Sequence, residues 1–161
     1  MNCFFEVLKV DLLSKFGSDQ FKFLTTPVGD QVIEAPKEVT HALLQYLKEY
    51  ARFDFLMDVC GVDYPNRAKR FDVVYHLFNS TDYSRLRVKT QVAENESVMT
   101  ATNIWIGADW FEREAYDMFG INFLNHPDLR RMYMMEEFEY YPLRKDYPLM
   151  GLPGAIQLPK K

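Results

Sequence analysis

The most constraining feature of this 161-residue chain is where its prolines fall. Five of the eight lie beyond residue 121, at Pro127, Pro142, Pro148, Pro153 and Pro159. Each removes a backbone donor and restricts the residue before it, so neither helix nor ladder is expected to run through this last quarter of the chain. The same stretch is rich in Tyr133, Phe138, Tyr140, Tyr141, Tyr147 and four methionines, too apolar to remain solvated as a disordered tail. A long irregular segment with that composition is expected to lie against something else. Upstream, Trp110–Gly120 packs Glu112, Arg113, Glu114 and Asp117 onto one helical segment. His126, Asp128, Arg130, Arg131, Arg144, Lys145 and Asp146 follow among the aromatics. Tyr, Met and Arg are the residue types enriched at interface centres. The pattern therefore points to a surface covered by another protein, and only poorly to a catalytic pocket.

The first two thirds read as regular structure. Phe5, Leu8, Leu12 and Phe16 fall on one face of a helix over 4–16. Short strands follow at Phe21–Thr25 and Gln31–Glu34, separated by a turn at Pro27-Val28-Gly29-Asp30. Pro36 suits a first helical position, and Val39, Leu43, Leu47 and Tyr50 continue a helical stripe. Residues 53–62 alternate Phe53, Phe55, Met57 and Val59 against Asp54 and Asp58. Phe71, Val73, Tyr75 and Leu77 form a second apolar face. Leu86, Val88 and Val92 form a third, against Arg85, Arg87, Lys89 and Gln91. Such alternation predicts a largely antiparallel sheet with one wet face, covered by helices on the other, hence an α+β class. Ser97 is expected to cap a short helix near Val98–Trp105, and a further helix spans Ala108–Phe119, ending before Gly120. The predicted division is an α+β domain over 1–120 and an extended partner-binding arm over 121–161.

Composition narrows the function. Net charge is −4, leaving no basic excess to neutralise phosphates and arguing against nucleic acid. No apolar run reaches the ~20 residues of a membrane-spanning helix, and no positive n-region precedes the N-terminal apolar stretch. Cys3 and Cys60 make neither a disulfide framework nor a metal site by spacing, and an iron–sulfur cluster normally needs about four thiolates, so the setting reads as reducing and cytoplasmic. Histidines His41, His76 and His126 lack H-x-x-x-H spacing, so no metal centre is expected.

Catalysis is the rival reading. Glu112 and Glu114 stand at i,i+2 and point apart, so they cannot share a proton. Arg113 and Asp117, four apart, read as an outward-facing ion pair beside Trp110. Arg130-Arg131 and Arg144-Lys145 lack a Gly-rich loop for phosphate. They read as forks for a partner's carboxylates, oriented by Asp128 and Asp146. On this reading Arg131→Ala or Arg144→Ala weakens assembly and leaves the domain's melting nearly unchanged. The rival is a stand-alone acid–base enzyme using Glu112, Asp117 and His126.

Three linked blocks carry a resemblance: Glu112-Arg113-Glu114-x-Tyr116-Asp117-Met118-Phe119-Gly120-Ile121, then His126-Pro127-x-Leu129-Arg130-Arg131, then Pro142-Leu143-Arg144-Lys145-Asp146-Tyr147-Pro148. Together they resemble the signature region of the thirty-kilodalton subunit of NADH:quinone oxidoreductase, respiratory complex I. Phe53–Tyr64 and Arg70–Phe78 look like that family's core strands, so the likeness covers nearly the whole chain. Asn125 and Tyr140 stand where relatives commonly carry Gly; Asn tolerates a left-handed backbone, so the turn before His126 is expected to survive. The resemblance implies a cofactor-free member of the hydrophilic arm, on the cytoplasmic face of the inner membrane or its organellar equivalent. FMN, iron–sulfur clusters and quinone would belong to other subunits. The neighbours would be the D-like protein that forms the quinone cavity and the B-like protein that holds the terminal iron–sulfur cluster, in a complex that moves electrons from NADH to quinone and pumps protons. The alternative is the matching subunit of a membrane-bound hydrogenase or a ferredoxin- or deazaflavin-linked complex, in which the electron donor differs.

Overall fold

The structure, a computed structural model, describes residues 2–17 and 20–148, with residues 2–4 as backbone only. The stretch 149–161, including Pro153 and Pro159, lies outside the described residues. Helix α1 (Asn2–Phe16) buries Leu8 and Leu12 and packs Phe5 and Phe16 against the core, the face their spacing predicts. Strands β1 (Lys22–Thr25) and β2 (Gln31–Glu34) form a hairpin whose turn uses Gly29 at φ 95°. Pro36 caps α2 (Lys37–Glu49) in an extended conformation, one position before the helix proper. Leu43, Leu44 and Leu47 are buried, whereas Tyr50, predicted on the same stripe, lies past the helix end and stacks on Tyr46.

Strands β3 (Phe55–Asp63), β4 (Phe71–Phe78) and β5 (Arg85–Val92) complete a five-stranded sheet of order β1-β2-β5-β4-β3. The β1–β2, β3–β4 and β4–β5 pairings are antiparallel, and β2–β5 is parallel. Two expected details change. In β3 the register shifts between Leu56 and Asp58, making Met57 an extra residue. The bulge turns Leu56 and Val59 inward and leaves Phe55 and Met57 on the surface, so the simple alternation read from residue 53 onward fails. Ser97 caps no helix. Ser97–Met99 is β6, paired in parallel with β7 (Asn122–Leu124), and turns rather than a helix lead to α3.

Helix α3 (Ala108–Phe119) has the predicted limits and ends on Gly120, whose φ is 76°. The core continues past it: Ile121 and Phe123 are buried in the main cluster. The expected boundary at residue 120 is therefore not a break in packing. Nor does the chain leave the domain afterwards, because turns from Asn125 to Pro148 fold back over α3 and the end of β3. Gly120 is where the returning chain comes closest. A Cβ built there would lie 2.7 Å from both the Arg144 guanidinium and the Tyr141 ring, in a backbone conformation that already disfavours a side chain.

Gly120→Ala is accordingly expected to cost about 1–3 kcal/mol in chemical denaturation. A neutral effect would mean that the segment around Tyr141 and Arg144 is not seated against the helix end.

Candidate functional site: buried charges beneath an exposed apolar surface

The charged residues of α3 do not point to solvent. Glu112, Arg113 and Asp117 are all buried, while Glu114 is exposed, as its i,i+2 offset from Glu112 requires. A buried charge persists only when paired and hydrogen-bonded, and each of the three finds its partners in a loop.

Asp117 is the centre. Its Oδ2 accepts the backbone N–H groups of Met132, Tyr133 and Met134 at 3.1, 2.7 and 3.0 Å, and its Oδ1 accepts Arg131 Nη1 at 2.8 Å. Burial pushes the carboxyl up, but the three amides and the guanidinium outweigh it and hold Asp117 below the usual carboxylate range. Arg131 also donates to the Tyr140 carbonyl, so one guanidinium ties the helix to two points of the segment. Arg113, one turn earlier, donates to the carbonyls of Arg130 and Arg131 at 3.2 and 3.3 Å. The Arg113–Asp117 ion pair expected from i,i+4 spacing is thus replaced: Asp117 pairs with Arg131, and Arg113 serves main-chain carbonyls. Proline-rich backbone with no ladder of its own needs partners from elsewhere.

Asp63, at the end of β3, repeats the device. It is held bidentately by Arg70 at 2.8 and 2.9 Å and accepts the Lys145 N–H at 2.7 Å. The Arg70 bond, ahead of the opposing burial, keeps its carboxyl low. Arg70 reaches Asp146 at 3.0 Å, and Arg144 joins Glu94 at 2.5 Å and the Phe119 carbonyl at 2.6 Å. Arg131 and Arg144 therefore fasten the chain to itself, and their removal is now expected to destabilise the domain rather than spare it. Asp128 and Arg130 pair with one another on the surface, and Lys145 is exposed.

Glu112 closes the other end. Its side chain is fully buried, accepting Thr100 Oγ1 at 2.5 Å and the Ala101 N–H at 2.6 Å. Burial outweighs these bonds and pushes the carboxyl up to about 7. His126, expected at an interface, has a fully buried side chain here. Its Nδ1 accepts the Asp128 N–H at 3.1 Å, so the ring proton sits on Nε2, facing the Asp109 carbonyl at 3.3 Å and Glu112 at 3.9 Å. Asn125, just before it, takes φ 62°, the left-handed turn expected of an Asn at that position.

Around these charges the surface is mixed, with Glu114, Asp128, Arg130, Glu136, Glu137 and Glu139 exposed among apolar side chains. Ile106, Trp110, Leu124, Tyr133, Met135, Tyr140 and Leu143 are all exposed, Ile106 at 90% and Tyr133 at 62%. Arg113 lies 5.0 Å from the Trp110 ring, placing Trp110 beside the stretch that Asp117 holds. An open cleft of about 360 Å³ lies among Tyr140, Tyr141, Arg144, Asp146 and Tyr147. Glu112, Asp117 and His126 do not line it. Sequence spacing could not show that the α3 charges face inward; the nearest signal was their share of a helix with Ala115 and Phe119.

The family described as "Respiratory-chain NADH dehydrogenase, 30 Kd subunit" matches residues 33–152. The chain belongs to this family. It is 63% identical over 142 residues to the C/D subunit of NADH-quinone oxidoreductase from Bdellovibrio bacteriovorus, covering 88% of this chain and 25% of that protein. It is 53% identical over 125 residues to the "C 1" subunit of the same enzyme from Rhizobium meliloti, covering 76% and 62%. Against the "C 2" subunit from Rhizobium etli the identity is 42% over 145 residues, covering 89% and 77%. The chain thus spans a quarter of the first of these relatives and less than two thirds of the second. Among solved structures, a chain of the membrane-bound sulfane sulfur reductase, an archaeal respiratory membrane complex, superposes with a TM-score of 0.75 at 23% identity, covering 90% of this chain and 86% of that one. That likeness establishes the shared fold. Among the described residues, no helix is long and apolar enough to cross a membrane.

Two outcomes follow for the isolated chain. Asp117→Ala strands Arg131 and three amides, and is expected to cost about 3–5 kcal/mol. Hydrogen exchange should lose protection at 132–134 first, and Arg131→Ala should likewise lower the melting temperature. Unchanged melting with unchanged exchange would contradict the assignment of Asp117. Glu112 acts in the opposite pH direction to Asp117. A carboxyl with a folded-state pKa of about 7, raised from 4.5, stabilises the fold below pH 4.5 and loses that contribution as pH rises through 7. Relative to Glu112→Gln, the wild type should lose on the order of 3 kcal/mol across that window in urea denaturation. A pH-independent difference would contradict the burial of Glu112.

Proposed function

We propose that this chain is a cofactor-free positioning subunit of the hydrophilic arm of an NADH:quinone oxidoreductase, on the cytoplasmic face of the inner membrane or its organellar equivalent. Its mixed surface over 106–143 would seat two neighbours, the D-like protein of the quinone cavity and the B-like protein with the terminal iron–sulfur cluster. FMN, clusters and quinone would sit in those and other subunits of a proton-pumping complex. One observation carries the reading: Arg113, Asp117, Arg131 and Arg144 of the signature blocks are used inside the chain, on main-chain groups of 117–119, 130–134 and 140. Trp110, Tyr133, Met135 and Leu143 are left exposed, interspersed with Glu136, Glu137 and Glu139. A rigid scaffold beneath exposed aromatic and thioether side chains is what an interface needs, because pre-ordering removes an entropy cost from association.

Support for the D-like neighbour comes from the Bdellovibrio relative, named as a joint C/D protein, in which the matched stretch is a quarter of the length. Relatives from 42% to 63% identical are named as subunits of a quinone oxidoreductase, which favours that machine over a hydrogenase. A stand-alone acid–base enzyme is disfavoured by the full burial of Glu112, Asp117 and His126.

The test separates surface from fold. Tyr133→Ala and Met135→Asp alter exposed side chains and should leave the melting temperature within a degree or so of wild type. Recovery of co-purifying quinone-site and iron–sulfur subunits should fall by about tenfold or more, as removal of an interface anchor does. Full recovery of the complex with both substitutions combined would overturn the proposal.

A further inference from the structure

On the sheet face away from α1 and α2, β3 and β4 bring together three side chains that no part of the positioning role uses. Asp58 and His76 stand directly opposite one another in the β3–β4 ladder, and Cys60 lies two residues from Asp58, on the same face. A carboxylate oxygen, the thiol sulfur and an imidazole nitrogen lie within 4.8 Å of one another, and all three residues are half-buried. We infer that Asp58, Cys60 and His76 form a site for one divalent transition ion of the zinc type, with water in the fourth position.

The donor set is the first argument. Thiolate, imidazole and carboxylate are the three protein ligands zinc takes, and two anionic donors neutralise a dication. Tetrahedral coordination places such donors about 3.5 Å apart, so the three side chains would close in on the ion from their present spacing. Strands are the second argument, since ligands on a paired ladder are held more rigidly than ligands on a loop. A cleft lined by Asp30, Met57, His76 and Arg87 opens beside His76.

The neighbouring charges are compatible. Arg87 and Lys89 face the cluster from β5, but Arg87 is engaged by Asp30 at 2.5 Å, and Glu114 adds negative charge from α3. A nucleophilic role for Cys60 is the weaker alternative, because burial, then Asp58, pushes its thiol up rather than activating it. On binding, the S–H bond gives way to a metal–sulfur bond and one proton passes to solvent; nothing is oxidised or reduced. Spacing along the chain could not reveal this site, because its ligands come from two strands and meet only through their register.

The experiment uses the purified full-length chain, stripped by chelator and titrated with Co²⁺ and then Zn²⁺. We expect one equivalent of Co²⁺ to give a thiolate-to-metal charge-transfer band with tetrahedral ligand-field bands, bleached by Zn²⁺. The band should disappear in Cys60→Ser, persist in Cys3→Ser, and need roughly tenfold or more metal in His76→Ala and Asp58→Asn. With the unsubstituted chain, Zn²⁺ should slow alkylation of Cys60 and not of Cys3, a readout that does not depend on any variant folding. A folded chain with no charge-transfer band, a band that survives Cys60→Ser, or Cys60 alkylation indifferent to Zn²⁺ would each overturn the site. None of these outcomes bears on partner binding.

Discussion

The fold beyond residue 120 depends on buried carboxylates that accept backbone amides. Asp117 takes three consecutive N–H groups and Asp63 takes one, each with an arginine alongside. A proline-broken segment has donors and no ladder to spend them on, and in water those donors would stay hydrated and the chain mobile. A carboxylate presented from a rigid helix or strand end offers a charge-assisted acceptor that competes with water, and the accompanying guanidinium offsets its burial. Asp117 sits two residues before the helix C-terminus and Asp63 ends β3, so both project where the returning chain must pass.

This arrangement explains why the charges and the aromatics of the same segment part company. Arg113, Asp117, Arg131 and Arg144 turn inward because main-chain groups need them, and their neighbours are displaced outward. Tyr133 is the clearest case: its amide is fastened to Asp117 while its ring is left 62% exposed. Glu112 does for the 100–101 turn what Asp117 does for 132–134, at higher cost, since two hydrogen bonds do not offset its burial. Stability in this part of the molecule is therefore set by opposed titrations, with Asp63 and Asp117 favouring neutral pH and Glu112 favouring acid.

Much of the regular structure was legible from period alone. The limits of α3, the inward face of β5 and the Leu8/Leu12 stripe follow from apolar spacing. The left-handed Asn125 follows from the tolerance of its short amide. Where the reading failed, a pairing intervened. The bulge at Met57 left Phe55 and Met57 on the surface while Val59 stayed inward, because a register shift is a property of two strands and leaves no mark on one. Ser97 looked like a helix cap because its partner strand lies 25 residues further along.

What the sequence determined by itself is the family, the α+β class and the presence of a segment that cannot fold on its own hydrogen bonds. These are written in local spacing, proline placement and motif order. Tertiary structure decided where that segment goes and what its charges do. Arg113, Asp117, Arg131 and Arg144, read as bait for other proteins, anchor their own chain, and Asp58, Cys60 and His76, ordinary as separate letters, became neighbours. Both outcomes rest on distance in space between residues far apart in the chain, a quantity that local periodicity does not contain.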